Sequence, residues 1–461
     1  MSKDTKSTPL DFFACPRCDQ PLIEKGEGLF SKGAQTTYPR IDGIPFLFAD
    51  PKAALGEWRN RLQFALQSLS YEAQRIEKEL AEREVMAKTR DRLDRLRAAN
   101  DDQRNLLRAL LNPLGVESLS ANYESHLALR TRLPSDQGLN TYYSNIHRDW
   151  AWGDEENAAS LAEVSAALEE SGGPDIGDAI VLGSGAGRLA YDLHQSLGAA
   201  RTFAVDFNPL LALIAQRVAA GGEIELYEFP IAPRSDDDLA LKQTLRAPET
   251  ARDGLTFVLA DVLRPPFAKG SADLVVTPWL IDILSEDTAV FAQRVNELLK
   301  PGGRWLNFGS LTYSHADRSR RYGPGEVLDI VDSSGFETVC VRDATIPYMC
   351  SPHSRHGRQE TVFTFAATKN AEVTAPKRHA ALPDWIVLGK DPVPLGQSFS
   401  AQAASTRIYA YVMSLVDGKR SIDDMAKIFE QQKLMTKVEA APAIRNFLIR
   451  MYEDSQRNAN F

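Results

Sequence analysis

At 461 residues the chain has length for about three domains, and 43% hydrophobic with 25% charged residues is the composition of ordinary globular cores. Its net charge of −9 argues against nonspecific nucleic-acid binding, and its four cysteines make no disulfide framework and point to a reducing compartment. The polar start MSKDTKSTPL reads as no signal peptide and no run of ~18 apolar residues marks a membrane helix, so the expectation is a cytoplasmic protein with neither a nucleic-acid nor a membrane partner.

Residues 1–52 read as a first module. FFACPRCDQPLI is followed by YPRIDGIPFLF, and Cys15 and Cys18 have CxxC knuckle spacing. A structural zinc normally takes four ligands, and no second CxxC precedes Tyr38; Cys340 and Cys350 are remote in sequence. The two segments together resemble a small zinc-ribbon module related to the methyltransferase-activator family, with half of its metal site. The expectation is a metal-free remnant held by Phe12, Phe13, Ile44, Phe46 and Leu47, and no residue of the chain is assigned to a metal.

Residues 53–135 follow as a helical region, with no glycine or proline from Glu57 to Leu111. Leu62, Leu66, Leu69, Ile76 and Leu80 form one stripe at three-to-four spacing, and Leu93, Leu96, Leu106 and Leu110 another. Charges of both signs fill the other faces, so the stretch reads as a helical layer over the next domain rather than an extended coiled coil. Tyr142–Trp152, YYSNIHRDWAW, reads as a helix entering the domain that spans 136–370, with His147 at the surface.

That domain centres on AIVLGSGAGRLAYDL, Ala179–Leu193. An apolar run of strand length leads into Gly183, Gly185 and Gly187, and then into helical apolar spacing. Strand, glycine turn and helix bring backbone N–H groups close to a ligand at a helix N-terminus. A second strand, Arg201–Val205, runs into Asp206, ~20 residues beyond the glycines, the acidic position that meets ribose hydroxyls in nucleotide-type sites. LTFVLADV ends in Asp261–Val262, and SADLVVTPWLID is a strand with Asp282 just past its end. A helix over Val290–Leu299, the turn and strand KPGGRWLNFG and a final strand pair complete an ordered α/β sheet. The excursion EIELYEFPIAPRSDDDLALKQTLRAPE is too long for a simple helix–strand connection; Asp236–Asp238 within it reads as a solvated helix start. His353 and His356 near Cys350 lack a carboxylate at ligand spacing and are read as loop residues, not a metal site.

GxGxG spacing and LLKPGG before a late strand are similar to class I S-adenosylmethionine (SAM) methyltransferases, which have a Rossmann-like sheet. GSGAGRLAYDL, NIHRDWAWG (Asn145–Gly153), LIDI (Leu280–Ile283) and PGGRWLNFGSLTY (Pro301–Tyr313) together resemble the carnosine N-methyltransferase family, over roughly Tyr142–Lys369. The resemblance implies SAM as cofactor. It places Gly183, Gly185 and Gly187 against SAM, Asp206 on the ribose, Asp261 and Val262 at the adenine, and Asn145 and Arg148 at the methionine end. A bidentate fork from Arg148 suits a carboxylate; the alternative is a surface pair with Asp149. Asp282 matches the family's imidazole-binding aspartate, the catalytic assignment, with a helix N-cap as the alternative. Tyr313, Ser314 and His315 fall at substrate-contacting positions, and Tyr227–Pro233 is placed on the substrate side.

Two departures bear on the acceptor. Where the family has LLYH this chain has LTYS, Ser314 replacing the histidine with His315 one residue on, and the family's tyrosine-rich segment is here His356–Gln359. The acceptor is then a different imidazole, amine or peptide. After a linker, 371–381, residues 382–461 carry STRIYAYVMSLVDGKRSIDDMAKIFEQQ, with Ser421 and Asp424 at capping-box spacing. DGKRSIDDMA resembles the PqqD-like winged-helix domains that recognise leader peptides, which implies a peptide or protein partner; a plain helical appendage is the alternative. Three functions follow as expectations. The first is a SAM-dependent N-methyltransferase of a histidine-containing small molecule or peptide. The second is a peptide-tailoring methyltransferase that captures its substrate through the C-terminal domain, and the third is a non-catalytic scaffold of the same fold.

Overall fold

Seven strands form one sheet: β1 (Asp178–Leu182), β2 (Arg201–Asp206), β3 (Leu255–Leu259), β4 (Ala272–Pro278), β5 (Leu299–Gly309), β6 (Phe336–Tyr348) and β7 (Arg358–Lys369). The structure is a computed structural model that describes residues 10–115, 141–173, 176–315, 317–376, 392 and 397–459. The strand order is β3-β2-β1-β4-β5-β7-β6. The first five strands are parallel, and β7 runs antiparallel between β5 and β6. Strands buried on both faces read as continuous apolar runs, which is why β1 to β5 stand out in the sequence. The order reverses between β1 and β4, so their carboxyl ends flank the crevice where ligands of such sheets bind.

Helices cover both faces. They are α1 (Pro51–Glu82), α2 (Ala87–Leu110), α3 (Asp154–Glu170), α4 (Arg188–Ser196), α5 (Pro209–Ala219), α6 (Thr288–Leu298) and α7 (Pro324–Ser333). On one face Trp58, Leu107, Val164, Ala190 and Leu210, from α1 to α5, pack on Val181, Ala204 and Val276; on the other Phe291, Val295 and Val331, from α6 and α7, pack on Ile180, Val275 and Trp305. The helical region is a hairpin, not one continuous helix: the backbone turns extended at Arg83 without glycine or proline. Packing sets this turn, because Leu62 and Leu66 must meet Leu107 and Leu110 in one core, with Arg104 Nη1 donating to Ser70 Oγ at 2.9 Å.

The N-terminal module is a three-stranded antiparallel sheet, Leu22–Lys25, Gly28–Ser31 and Thr36–Tyr38, followed by a short hairpin. It seals the β3 edge. Leu47 N–H donates to Leu259 O at 2.7 Å, Phe46 bridges Leu259 in parallel and Phe13 bridges Phe267. Phe12 stacks on Phe203 at 4.4 Å. The residues expected to hold the remnant, Phe12, Phe13, Ile44, Phe46 and Leu47, are all buried.

The chain divides into two compact units, 1–383 and 384–461. The second contains helices Gln397–Ser414, Ile422–Gln431 and Lys437–Ala459 around Val412, Met425, Phe429 and Ile444. Ser421 and Asp424 form the expected capping box, and Asp417 Oδ1 accepts from the N–H groups of Lys419 and Arg420 in the DGKRS turn. LPDWIVLGKD, 382–391, lies outside the described residues. No helix among the described residues is long and apolar enough to cross a membrane.

Candidate active site

The glycine turn leaves β1 with Gly183, Gly185 and Gly187 all at positive φ (+73°, +58° and +92°). The three differ in what surrounds them. A Cβ on Gly187 would meet Ala215 Cβ and Phe257 Cε1, each at 2.8 Å, and one on Gly183 would meet Leu280 Cδ1 at 2.9 Å, whereas Gly185 faces open space within 4 Å. Gly187 is therefore required by packing, Gly183 has only a movable Leu280 methyl before it, and Gly185 forms the open wall of a cradle. Behind it lies Asp206, whose Oδ2 accepts from Gly185 N–H at 2.9 Å and Oδ1 from Asn208 N–H at 2.8 Å. Burial pushes the Asp206 carboxyl up to about 6, against the N–H donors of Asn208, Gly185 and Phe207. An anionic acceptor beside an open glycine wall fits a nucleoside's ribose hydroxyls. Asp261 follows β3, its Oδ1 accepting from Leu263 N–H at 2.9 Å, and Val262 packs into the apolar cluster with Leu280.

A cover turn is clamped to this loop. Tyr143–His147 is a short α-helix and Arg148–Trp152 continues it as a π-helical turn. Trp150 Nε1 donates to Ala186 O at 2.8 Å, inside the glycine turn, and Arg188 Nη1 donates to Asp149 O at 2.8 Å. Arg188 also pairs with Asp192 at 2.9 Å. Arg148 donates through Nε (2.8 Å) and Nη2 (2.6 Å) to one Asp149 oxygen. Asp149 is buried, 3% exposed, and Arg148 is half-buried, so the two are not the surface pair weighed from sequence, and the fork is turned onto Asp149. Burial works against the Arg148 charge, but Asp149, Tyr348 and Glu156 outweigh it and hold the guanidinium protonated. Asn145 is half-buried one turn before it. His147 is fully buried rather than exposed. Its Nε2 lies 3.2 Å from Tyr227 O, its Nδ1 has no partner, and burial lowers its pKa to about 4. Apolar spacing missed this because Tyr227 comes from the distant excursion, where Ile224–Glu228 pairs with Leu241–Leu245.

The second wall rises from β4 and β5. Trp279 directly follows β4 at φ +51°, a rare conformation for a bulky residue. Its N–H donates to Phe308 O at 2.7 Å, and its ring lies 4.8 Å from Tyr348. Arg148 and Arg358 sit over the Tyr348 ring at 5.8 Å and 4.5 Å, and Arg358 pairs with Glu360 at 2.5 Å. Asp282 is buried, and its Oδ2 accepts from Thr312 N–H at 2.8 Å. Burial, with a contribution from Glu360, raises its pKa despite the Thr312 donor. Asp282 does not cap a helix: Asp287 caps α6, accepting from Ala289 N–H at 2.9 Å.

The three residues expected beside it divide. Tyr313 turns inward, with its hydroxyl 3.2 Å from Thr288 Oγ1 and burial pushing it up to about 12. Ser314 is exposed, and His315 Nδ1 accepts from Asp317 N–H at 3.0 Å on a surface turn. His353 pairs with Asp238 at 2.8 Å, joining the loop after β6 to the excursion, whose Ser235–Asp238 turn is a capped 3₁₀ turn as expected. Sequence reasoning missed Trp279, Tyr348, Arg188 and Glu360. Only Arg188, which follows the third glycine directly, carried a local signal.

Comparison with known proteins matches the part of the chain that carries this site. The family model described as Carnosine N-methyltransferase matches residues 135–371, just over half of the chain. No curated protein sequence matches. Three solved structures are similar. A putative sarcosine dimethylglycine methyltransferase from Galdieria sulphuraria is 12% identical, with 50% of this chain and 98% of that chain covered and a TM-score of 0.34. The N-methyltransferase NodS from Bradyrhizobium japonicum, in complex with S-adenosyl-L-homocysteine, is 14% identical over 50% and 99%, with a TM-score of 0.33. The 1,6-didemethyltoxoflavin-N1-methyltransferase of Burkholderia thailandensis is 16% identical over 52% and 95%, with a TM-score of 0.31. With the family model lying over the glycine cradle, the cover turn and the β4–β5 wall alike, the chain belongs to the carnosine N-methyltransferase family and is a SAM-dependent methyltransferase.

Proposed function

We propose that the enzyme methylates a ring nitrogen of a histidine- or imidazole-containing small molecule or peptide, with Asp282 holding the acceptor. The observation that carries this is the Asp282 carboxylate, buried at the carboxyl end of β4 with one oxygen fixed by Thr312 N–H. An imidazole with a pKa of ~6.5 is largely neutral at neutral pH, so its lone pair is available. The carboxylate takes the N–H of the far ring nitrogen, fixes the tautomer and stabilises the cation that forms. Trp279 and Tyr348 exclude water and hold the ring plane. Bound SAM supplies an electrophilic methyl on a sulfonium, and transfer is an in-line displacement in which positioning is the enzyme's main task. Gly185 and Asp206 hold the ribose, Asp261 and Val262 border the adenine, and Asn145 and Arg148 lie on the methionine side, where Arg148 must exchange or share its Asp149 partner to take a carboxylate.

The test is Asp282→Asn, assayed with histidine-containing dipeptides and isotopically labelled SAM. Shape is kept and charge removed, so turnover should fall by at least ~100-fold while SAM affinity stays constant. Turnover within about threefold of the parent would end the assignment, since lost electrostatic stabilisation costs far more than that. A longer peptide substrate is the second reading, favoured by the separate unit 384–461 with its DGKRS turn and capped helix.

A further inference from the structure

Two thiols in the N-terminal module have no part in methyl transfer. Cys18 N–H and Asp19 N–H donate to Cys15 O at 3.3 Å and 2.9 Å, closing a tight turn over CPRC. Such a turn keeps the two Cα atoms within the span that a disulfide bridges. Both sulfurs address one hydroxyl. Cys18 Sγ lies 3.5 Å from Ser31 Oγ, and Cys15 is hydrogen-bonded to the same side chain. Cys15 Sγ also lies 3.1 Å from Tyr38 Oη.

Facing the knuckle, the segment SKGA carries no sulfur. Ala34 N–H donates to Ser31 Oγ at 3.1 Å, and a Cβ on Gly33 would come within 2.9 Å of Cys18 Sγ. No group of three or more His, Cys, Asp or Glu among the described residues is arranged to hold a metal ion. The donors that would surround a metal-bound thiolate are nevertheless in place. Burial raises the Cys15 thiol, but Ser31, Tyr38 and the N–H groups of Arg17 and Cys18 outweigh it and lower the pKa overall. Cys15 is buried and Cys18 is exposed, the arrangement of an accessible thiol beside a stabilised one.

We propose that Cys15 and Cys18 form a reversible dithiol–disulfide couple whose state sets cofactor affinity. The oxidant is a low-molecular-weight disulfide such as oxidised glutathione. The Cys18 thiolate attacks one of its sulfurs, forming a mixed disulfide and releasing one glutathione thiolate, which takes up a proton. The Cys15 thiolate then attacks the Cys18 sulfur, forming the protein disulfide and releasing the second glutathione as its thiol. The protein loses two protons and two electrons, and the glutathione disulfide gains them as it becomes two thiols.

The link to the cofactor is short. Oxidation withdraws the Cys15 thiol from Tyr38, which is fully buried. The next residue, Pro39, accepts from Phe46 N–H at 2.9 Å, and Leu47 N–H holds Leu259 O at 2.7 Å. Asp261 and Val262 are two and three residues further on, and this step rests on their proposed place at the adenine.

The experiment uses the full chain in glutathione redox buffers. Differential alkylation with peptide mass spectrometry locates the disulfide, and calorimetry with S-adenosylhomocysteine follows binding in each state. The expected result is loss of two hydrogens within the 15–18 peptide, reversed by dithiothreitol, with at least about fivefold weaker binding in the oxidised form. Cys18→Ser, at an exposed position, should bind like the reduced parent and show neither change. Free thiols at 15 and 18 in buffer dominated by oxidised glutathione overturn the couple. A disulfide that forms with affinity unchanged overturns the coupling. Should the reduced chain not bind the probe at all, the cofactor assignment falls, while the alkylation pattern still judges the couple.

Discussion

In its proposed place at the ribose, Asp206 would put an ionisable control on cofactor binding. It is charged above about 6 and neutral below, because burial raises its carboxyl to about 6. In the proposed site the charged form is the one that would accept from ribose hydroxyls, so protonation would compete with binding. S-adenosylhomocysteine affinity should be constant above about pH 7 and fall as the pH drops through about 6, approaching roughly tenfold per unit. Asp206→Asn should flatten that fall, and Asp206→Ala should weaken binding by roughly 1.5–3 kcal/mol through loss of charged hydrogen bonds. Burial raises Asp192 to about 6 as well, so a step that persists in Asp206→Asn is not carried by Asp206. Titration calorimetry from pH 5 to pH 8 reads all of this; a parent with no acid fall would remove Asp206 from the site. Asp206 was legible because it sits a fixed distance past the glycines at a strand end. Trp279 was not: VVTPWLID continues as an apolar run, and the positive φ of Trp279 accompanies a bond to Phe308 O on the neighbouring strand. Tyr348 and Glu360 were illegible for a related reason, since β6 and β7 bring them in from ~70 and ~80 residues beyond β4 by an antiparallel pairing that leaves no local motif.

At the scale of elements, the glycine turn sets a crowded glycine and an open one two residues apart. Gly187→Ala places a methyl 2.8 Å from both Ala215 and Phe257 at a positive φ. It should destabilise the protein by about 2 kcal/mol or more, read by urea denaturation. Gly185→Ala meets no atom within 4 Å. Its stability cost should be near 1 kcal/mol, that of the left-handed backbone alone, while S-adenosylhomocysteine affinity should fall by more than tenfold as the methyl fills the cradle. Equal stability losses with equal affinities would mean that the open wall of Gly185 does not face the cofactor. Strand, turn and helix here were readable because buried parallel strands and glycine turns leave short-range patterns. The α1–α2 break was not, since no residue type at Arg83–Met86 announces it and the reversal is set by what the stripes pack against. Gln103 of α2 likewise declares nothing in sequence. Yet its amide donates to Tyr143 Oη at 2.6 Å and accepts from Tyr227 N–H at 2.9 Å, joining hairpin, cover turn and excursion. Gln103→Ala should cost about 1–3 kcal/mol of stability, the range for leaving buried donors unsatisfied.

For the whole molecule, the division into units 1–383 and 384–461 gives a test of where the cofactor binds. A chain ending at residue 383 should bind S-adenosylhomocysteine within about twofold of the full chain, since each unit encloses its own core. Calorimetry showing a loss of tenfold or more would mean that the second unit contributes to the cofactor site. A short histidine dipeptide should be turned over equally by both chains if substrate recognition lies in the catalytic domain, and a long peptide would be favoured by the full chain if the second unit captures it. The covered β3 edge has a further consequence, in the timing of synthesis. Phe46 and Leu47 leave the ribosome roughly 200 residues ahead of their partner Leu259. At ~5–20 residues per second that is a wait of about 10–40 s. Through it, Phe12, Phe13, Phe46 and Leu47 have no β3 edge to cover, although each is buried in the finished protein. The module that seals the sheet is thus made before the strand it covers and docked late, and a nascent chain arrested before residue 255 should expose these apolar residues to a chaperone or protease that the released protein resists.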